Sequence, residues 1–321
     1  MARSLKVLLV AEEAAGVQTL RMLAESRHQV VAVITASGSG MGSGATVSVV
    51  ASRLAIPVWT PRHIKERALD QRVRREGIDL LLNVHALQVL PAELVAAPRI
   101  GSFNLHPGPL PGYAGLNAPS WAIYHGQRTH AVTLHWMDSG IDTGPIAYEA
   151  GLEISEDDTG FSLSAKCVRA GLPLVQELLA AAAGGAVPQR RQPSGTRRHY
   201  GREVPQGGRV DWTRPAREIV DFVRASDYAP FPSPWGHPAA SVAGREISVL
   251  KAIRSLEPCT EVPGRVGRRV GDEIMVAAAD EWVQVRRVRI GASVLPAGQV
   301  LQPGEQFDLP LHAEEPSGAA R

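Results

Sequence analysis

An Asn and a His stand two residues apart in the stretch FNLHPGPLPGYAG, at positions 104 and 106. They close an apolar run, so both fall at the end of a predicted strand. Side chains two residues apart on a strand point to the same side, and Asn104 and His106 are therefore expected at one face. The Pro and Gly residues that follow stiffen the exit and allow close approach of another group. This pattern favours a preorganised polar site.

A carboxylate is available further along the chain, in the loop MDSGIDTG, which contains Asp138 and Asp142. A loop carboxylate close to a His raises the pKa of the imidazole and fixes its tautomer. An amide can donate to a developing oxyanion, while an imidazole donates to the same oxygen or takes a proton from the nucleophile. The set therefore suits attack on a carbonyl, and without a Ser or Cys it implies no covalent intermediate.

Each of these motifs also has a purely structural explanation. A single His after a strand is more often a packed residue than a catalytic one, and the Asp residues of the loop could simply cap their own backbone. The two motifs occur in order, with the Pro- and Gly-rich stretch between them, and packing alone does not account for that combination.

The elements that must position these residues alternate between strands and helices. Such alternation predicts an α/β fold, a Rossmann-like parallel sheet whose ligands bind outside the carboxyl ends of the strands. From residue 131 the continuous apolar runs give way to alternating apolar and polar residues. This alternation predicts two antiparallel additions to the sheet, over residues 131–137 and 145–150. The buried strands are predicted at Lys6–Ala11, 30–34, 57–59, 79–84 and 100–105, with helices over 47–54 and 64–75.

A long helix predicted over 158–183 ends the catalytic domain. A second helix is predicted over 212–225, followed by short Val and Ile runs separated by Gly, which indicate a small C-terminal β-barrel as a separate domain. The predicted organisation is a catalytic domain over 1–190, a linker and connecting helix over 191–236, the barrel over 237–310 and a disordered tail over 311–321.

Charge and composition favour some classes of protein over others. The 321 residues carry a net charge of +2, without the basic excess of a nucleic-acid-binding protein. Two cysteines fit a reducing compartment, and neither a signal peptide nor a 20-residue apolar run is present. We therefore expect a cytoplasmic protein with no membrane partner. His125, His130 and His135 lack the convergence of a metal site, so no metal is expected.

The motifs resemble the formyltransferase family that uses 10-formyltetrahydrofolate. The shared stretches, in order, are FNLHPGPLP, YAGLNAPSWAI and VTLHWMDSGIDTGPI, and GRVDWTRPAREIVDFVRASDYAPFPSPWG resembles the segment that leads to the family's C-terminal barrel. The resemblance spans nearly the whole chain. It implies an enzyme that moves a formyl group from 10-formyltetrahydrofolate to an amine by direct attack, through a tetrahedral intermediate and without a metal.

The resemblance also implies roles for individual residues. Asn104 would hold the formyl oxygen, His106 would polarise it or accept the amine proton, and Asp142 would orient and charge the His. Acceptor-side residues would be Gly108, Tyr113 and Asn117. The residues expected to line the pterin pocket are His85, Ala86, Leu87, Leu90, Asp138, Ser139, Gly140 and Ile141.

The acceptor is the open question. Many members have a Ser at the position of Gly108 and an Arg at that of Ala114, and the tRNA enzymes carry a long basic loop where residues 36–45 read ASGSGMGSGA. Without cations there, phosphate neutralisation is lost. The expected acceptor is therefore a small-molecule or carrier-tethered amine, such as a hydroxylamine or amino sugar, as in natural-product assembly. The alternatives are methionyl-tRNA, water (a 10-formyltetrahydrofolate hydrolase) and a non-catalytic folate- or amine-binding module.

Five arginines in the predicted linker leave a second question open. They are Arg190, Arg191, Arg197, Arg198 and Arg202. They could contact a phosphate on a nucleotide, a carrier protein or tRNA, but a solvated linker is the favoured interpretation of such a charged stretch.

Overall fold

The computed structural model describes residues 3–36, 45–65 and 68–309, and the chain divides into two compact units. The first unit contains residues 1–119, 128–154 and 163–201, and the second contains 120–127, 155–162 and 202–321. The Gly- and Ser-rich loop and the C-terminal tail discussed above fall on residues 37–44 and 310–321, outside the described residues.

The first unit is built on a seven-stranded sheet with the order β3-β2-β1-β4-β5-β7-β8. Strands β1 to β5 are parallel, whereas β7 and β8 run antiparallel to their neighbours. The predicted Rossmann-like sheet with antiparallel additions is confirmed. A separate parallel pair joins β6 to β9. The strands are β1 (Lys6–Ala11), β2 (Gln29–Ile34), β3 (Val58–Trp59), β4 (Leu80–Val84), β5 (Gly101–His106), β6 (Ala114–Gly115), β7 (Thr129–Trp136), β8 (Ile146–Glu153) and β9 (His199–Tyr200).

Apolar side chains on both faces explain why the central strands read as continuous hydrophobic runs. Along β1, Val7 and Leu9 enter one core, while Leu8 and Val10 enter another. This alternation is the period of two that a strand imposes on its side chains. Because the sheet is covered on both sides, polar side chains on its central strands need hydrogen-bond partners.

The helices match the predictions with shifted ends. Where one helix was expected over 64–75, the structure has a 3₁₀ helix, Pro61–Lys65, and then the α-helix α3, Leu69–Glu76. Residues 66 and 67, between them, lie outside the described part. The long helix α6 begins where Thr159 and Ser162 cap each other's backbone N–H, and it contains Pro173. The helices are α1 (Glu13–Ala24), α2 (Val47–Arg53), α3 (Leu69–Glu76), α4 (Ala92–Val95), α5 (Ala118–Tyr124), α6 (Gly160–Gly184), α7 (Ala216–Ala225) and α8 (Ala297–Val300).

The second unit is an antiparallel sheet that packs against α7 around its own core. Its path is β10-β11-β14-β13-β12, with β15 paired to β14. The predicted antiparallel domain is confirmed, but closure into a barrel is wrong for residues 202–309, where no ladder joins β10 to β12. A further 3₁₀ helix covers Pro205–Gly208, and the strands are β10 (Ala239–Val242), β11 (Arg245–Pro258), β12 (Val266–Val270), β13 (Glu273–Ala277), β14 (Glu281–Ile290) and β15 (Ser293–Pro296).

The helix predicted over 212–225 starts later, at Ala216, because Asp211 accepts hydrogen bonds from Thr213 in a local turn and Pro215 ends that turn. We keep the predicted domain limits 1–190, 191–236 and 237–310 as a proposal. None of the helices within the described ranges is long and apolar enough to cross a membrane.

Candidate active site

A row of polar side chains crosses three neighbouring strands of the first unit. Asn83 on β4 and His135 on β7 stand directly opposite Asn104 on β5. The Asn83 amide donates to Asn104 Oδ1 at 3.0 Å, and Asn104 Nδ2 lies 3.1 Å from His135 Nε2. The registry of the sheet therefore builds one connected network from residues far apart in the sequence.

The orientation of the Asn104 amide is fixed by its partners. Its oxygen accepts from Asn83, so its Nδ2 group faces His135 and Asp142, whose Oδ1 it contacts at 3.0 Å. His135 Nδ1 lies 2.7 Å from the carbonyl of Trp136. Since a carbonyl only accepts, Nδ1 carries a proton, and Nε2 lies between the Asn104 amide at 3.1 Å and Asp142 Oδ1 at 3.3 Å. Both N–H groups of Asn104 are thus engaged.

His106 is buried on the same side of β5 as Asn104. Its Nε2 donates to the Tyr113 carbonyl at 2.6 Å, which leaves Nδ1 facing Asp142 Oδ2 at 3.5 Å. Burial lowers the pKa of His106 below its ordinary value, and the charge of Asp142 and the Tyr113 carbonyl oppose that effect only in part. A carboxylate near the imidazole predicts a raised pKa; Asp142 does raise the pKa of His106, but burial outweighs this effect.

Asp142 joins the network from the 137–144 loop. Its Oδ2 accepts from the Gly115 backbone N–H at 2.8 Å, and its Oδ1 lies 3.3 Å from His135 Nε2. Burial works to raise the pKa of Asp142, but the charge of His106, the His135 contact and the Gly115 N–H together hold it well below the usual range. Asp142 is therefore ionised, and it has a left-handed backbone with φ 53°.

This arrangement can perform acyl chemistry. The Nδ1 atom of a neutral His106 can take a proton, and the imidazolium so formed lies beside a carboxylate. The Asn104 amide, held on three sides, is a preorganised hydrogen-bond donor. Of the two candidate carboxylates, the structure brings Asp142 to this network, while Asp138 accepts from Gly140 N and Thr143 Oγ1 within its own loop.

The residues predicted to line a pterin pocket lie on two loops of the first unit. His85 follows β4 with φ 54°, and the Ala86 carbonyl accepts from Asn83 at 3.3 Å. Leu87 is 74% exposed, whereas Leu90 is buried. On the 137–144 loop Asp138, Ser139 and Gly140 are exposed, and Ile141 is 49% exposed. Their contact with a folate stays a prediction.

The predicted acceptor-side residues have different surroundings. Gly108 is buried, and a Cβ there would lie 2.8 Å from the Ala118 Cβ and 2.9 Å from His106 Nε2, so its small size serves packing around His106. Tyr113 is half-buried, and burial raises its pKa to about 12. Asn117 is half-buried with φ 55°. Their binding role also stays a prediction.

The charge pattern favoured a solvated linker, and most of residues 188–199 are exposed, but hydrogen bonds attach this stretch to the rest of the first unit. Arg190 pairs with Ile146 through both backbone hydrogen bonds, and Tyr200 belongs to β9 and is buried. Arg197 donates to carbonyls of the 137–144 loop. Long-range hydrogen bonds to backbone carbonyls hold residues 188–200, hereafter the 188–200 segment, in place. The amino-acid composition of a stretch does not reveal such hydrogen bonds.

Three further residues of the network were not predicted from the sequence. Asn83 interrupts an otherwise apolar strand, which was an available signal. His135 stands in an alternating strand two residues before Met137, but only the register shows that it faces Asn104. Gly115 contributes a backbone N–H, which the side-chain pattern does not mark.

Gly115 offers a test of how closely the backbone must pass Asp142. Its φ is 89°, and a Cβ there would lie 2.2 Å from the Tyr200 carbonyl oxygen. Gly115→Ala is therefore expected to cost about 2 kcal/mol or more through strain and loss of the β6–β9 pairing. The measurements are the thermal unfolding midpoint and the exchange rate of the Leu116 amide, which donates to Tyr200.

Gly112→Ala is the matched control, because a Cβ at Gly112 meets only the Pro109 carbonyl at 3.9 Å. It should change stability by less than about 0.5 kcal/mol. Equal midpoints and equal Leu116 exchange in the two variants would show that the close approach at Gly115 is not needed.

A metal centre was not expected from the sequence. In the described parts of the chain, no group of three or more His, Cys, Asp and Glu side chains is arranged so that it could hold a metal ion. His130 instead donates to the Pro107 carbonyl at 2.8 Å, and burial lowers its pKa to about 4.

Comparison with known proteins identifies the family. The formyl transferase model matches residues 5–177, and the model of the formyl transferase C-terminal domain matches residues 204–302. The methionyl-tRNA formyltransferase of Phenylobacterium zucineum (strain HLK1) is 31% identical over 282 residues, 85% of this chain and 88% of that protein. The methionyl-tRNA formyltransferase of Acidothermus cellulolyticus (strain ATCC 43068 / DSM 8971 / 11B) is 30% identical over 319 residues, 96% of each chain. The chain belongs to the formyltransferase family and is an enzyme.

Solved structures share the fold at lower identity. An N-formyltransferase from Helicobacter canadensis, in complex with folinic acid and dTDP-3-aminofucose, superimposes with a TM-score of 0.67 at 18% identity, over 88% of this chain and 98% of that one. HypX from Aquifex aeolicus, in complex with tetrahydrofolic acid, gives 0.59 at 20% identity, over 93% of this chain and 47% of that one.

Proposed function

We propose that this enzyme transfers a formyl group from 10-formyltetrahydrofolate to the amine of a small-molecule or carrier-bound acceptor. The observation that carries the chemistry is the buried Asp142 carboxylate, which contacts the Asn104 amide at 3.0 Å and faces His106 Nδ1 at 3.5 Å. These three groups lie on the first unit, within residues 5–177 that match the formyl transferase model.

His106 is proposed as the group that moves the proton. Nε2 is tied to the Tyr113 carbonyl, so Nδ1 is the atom that receives the proton from the attacking amine. Asp142, which is already ionised, stabilises the resulting cation. When the tetrahedral intermediate collapses, the bond between the formyl carbon and the folate nitrogen breaks, and His106 returns the proton to that nitrogen. Proton transfer by a positioned imidazole contributes on the order of 10² to 10⁴ in rate.

Asn104 is proposed as the donor to the oxygen on which negative charge develops. Both of its N–H groups have partners, so one bond must be exchanged. The bond to His135 is the weaker of the two, because hydrogen bonds to a carboxylate are stronger than those to a neutral acceptor. Asp142 and Asn83 would then keep the planar amide in place, and the N–H that had faced His135 would donate to the new oxygen without rotating.

The residues present fit a folate donor, which would supply a formyl group carried on nitrogen. Leu87, Val89 and Ile141 expose 74%, 77% and 49% of their surface on the two predicted pterin loops, and such apolar side chains suit a flat ring. Asn83 Oδ1 is a buried acceptor without a partner in the described residues, and a ring N–H group could satisfy it. Asn83 and these loops are the residues that would hold the donor.

The choice of acceptor rests on charge. Residues 36–45 contain neither Lys nor Arg, and an enzyme that binds tRNA gains most of its affinity from cations at phosphates. An acceptor of the natural-product type, such as an amino sugar or a hydroxylamine, needs no such loop. Methionyl-tRNA is the second candidate, because relatives that carry that name match nearly the whole chain.

An acceptor screen tests this proposal. The enzyme is given 10-formyltetrahydrofolate with amino sugars, hydroxylamines, carrier-tethered amines, and charged or uncharged initiator tRNA. Folate absorbance and product mass are followed. We expect a formylated small or carrier-bound amine, at a rate that changes little with salt.

The other outcomes are distinct. Formylation of methionyl-tRNA alone, falling steeply with added salt, would establish the tRNA candidate. Formate release without an added amine would indicate a hydrolase. The absence of any turnover, with folate still bound, would indicate a binding module and contradict the proposed reaction.

A further inference from the structure

The 188–200 segment lies against the 137–144 loop at several points. Trp136 Nε1 donates to the Pro188 carbonyl at 2.8 Å, and Ile146 and Arg190 exchange backbone hydrogen bonds of 2.7 and 2.8 Å. These contacts flank the loop on the strands β7 and β8 that it connects. The segment therefore lies beside the two strand ends between which the loop runs.

Two side chains of the segment bind the backbone of the loop itself. Gln192 Nε2 donates to the carbonyls of Asp142 and Gly144 at 2.8 and 2.9 Å. Arg197 donates through Nη1 to the Asp142 carbonyl at 3.2 Å and through Nη2 to the Ile141 carbonyl. Four hydrogen bonds thus converge on three carbonyls, and the Asp142 carbonyl receives two of them.

The backbone that these bonds hold is a strained one. Asp142 has φ 53°, a left-handed conformation that Asp adopts more readily than most residues with a side chain, but that is still less favourable than the right-handed and extended conformations unless its surroundings enforce it. The same conformation aims the carboxylate at Asn104, at His106 and at the Gly115 N–H. Relaxation of the backbone would withdraw the carboxylate from all three.

We propose that Gln192 and Arg197 are positioning residues for the reaction, which act by holding the Asp142 backbone in the conformation that presents its carboxylate to His106 and Asn104. This inference rests on the proposed function for its kinetic consequence. It gives two residues of an apparent linker a place in the active site, although neither contacts His106 or Asn104.

The test compares single variants with a matched control. Gln192→Leu and Arg197→Met keep the size of each side chain and remove its donors. Arg197→Lys keeps the charge and one donor group but loses the planar fork that reaches two carbonyls. Arg191→Met removes an exposed arginine of the same segment and serves as the control for charge.

Two measurements are made on each variant. Steady-state kinetics should show that kcat falls about 10-fold to 100-fold in Gln192→Leu and in Arg197→Met, since misplacement of a catalytic group by an ångström costs that much. In Gln192→Leu, whose lost bonds go to Asp142 and Gly144, the KM for the folate donor should stay within about 3-fold. In Arg197→Met the KM for the folate donor should rise as well, because Arg197 also binds the carbonyl of Ile141, which lies on a predicted pterin loop. Arg197→Lys should lie between Arg197→Met and the wild-type enzyme, and Arg191→Met should match the wild-type enzyme.

The second measurement is the titration of the His106 ring by NMR, which needs no turnover. The groups that face His106 are Asp142, the Tyr113 carbonyl, His135, His85 and His130. Asp142 raises the pKa of His106, so its withdrawal should move the titration of His106 to lower pH in both variants. Arg191→Met should leave the titration where it is.

The outcomes separate this inference from the proposed function. If the wild-type enzyme formylates nothing, the proposed function fails, yet the His106 titration still decides whether the two residues position Asp142. A titration that is unchanged in Gln192→Leu and Arg197→Met overturns the inference, whatever happens to kcat. So does a kcat equal to that of Arg191→Met in variants whose thermal midpoint shows them folded.

Discussion

Replacement of Asp142 by Asn is expected to lower kcat by about 10³-fold, through loss of both charge and hydrogen bonding at the centre of the network. The carboxylate accepts from the Asn104 amide and from the Gly115 N–H. An Asn side chain has only one acceptor oxygen for these two donors. Its NH₂ group would face the second donor, and two donors that face each other repel. It also removes the charge that stabilises a protonated His106.

The pH dependence of this loss has a definite sign. The pKa of Asp142 is held well below its usual range, so the group is ionised at every pH at which the enzyme is assayed. Asp142→Asn should therefore remain slow across the whole pH range, without recovery at either end. Steady-state rates from acid to alkaline pH make the measurement.

Asp138→Asn is the comparison within the same loop. Asp138 accepts from Gly140 N and Thr143 Oγ1 and lies on a predicted pterin loop. Its substitution should act on the KM for the folate donor and leave kcat within about 3-fold. If Asp142→Asn keeps a tenth of the wild-type kcat, or if the two variants lose kcat equally, Asp142 does not have the role proposed for it.

Replacement of His106 by Gln should lower kcat by about 10² to 10⁴-fold, the usual contribution of a positioned acid–base group. A Gln amide can still donate to the Tyr113 carbonyl, but it has no basic nitrogen to face Asp142. The fold around Gly108 and Tyr113 is thus expected to survive while proton transfer is lost. Kinetics on protein with an unchanged thermal midpoint would establish the difference.

The wild-type pH profile gives the second half of this prediction. Only neutral His106 can take a proton, so kcat/KM should fall as the pH drops through the pKa of His106. Burial lowers that pKa, and the fall should therefore come below the ordinary value for a histidine, 6.5. The acceptor amine for this measurement should have a pKa well below that of His106, so that the amine stays neutral across this range.

In His106→Gln the acid limb of the profile should disappear, whereas His28→Gln, at a partly exposed histidine of the first unit, should retain it. A profile that keeps its acid limb without His106 would assign the proton transfer to another group.

Much of the sheet could be predicted from the sequence because its strands are buried on both faces. Lys6–Ala11 was predicted with its exact bounds, and the antiparallel additions were found where the apolar run gave way to alternation. Asn104 and His106 were expected together from their spacing on one strand, while the choice of Asp142 over Asp138 came from the family resemblance; the structure places all three in one network. Such predictions succeed where a local pattern directly reflects burial and spacing.

The remainder of the site depends on contacts that a local pattern does not encode. His135 faces Asn104 only because of the register between β5 and β7. Gln192 and Arg197 bind carbonyls some 50 residues earlier in the chain, from a stretch whose Pro, Gly and Arg content is typical of a linker. The barrel was predicted from strand spacing, but closure of a sheet depends on pairing between its first and last strands.

The left-handed backbone at Asp142 has a consequence for what can replace this residue. Only Gly, Asn and Asp adopt this conformation readily, so the residue that most easily replaces the carboxylate without disturbing the chain is its own amide. Asn at position 142 would therefore remove the charge from the site while the backbone keeps its conformation, so that a chain with Asn there would share this fold without the chemistry proposed for Asp142.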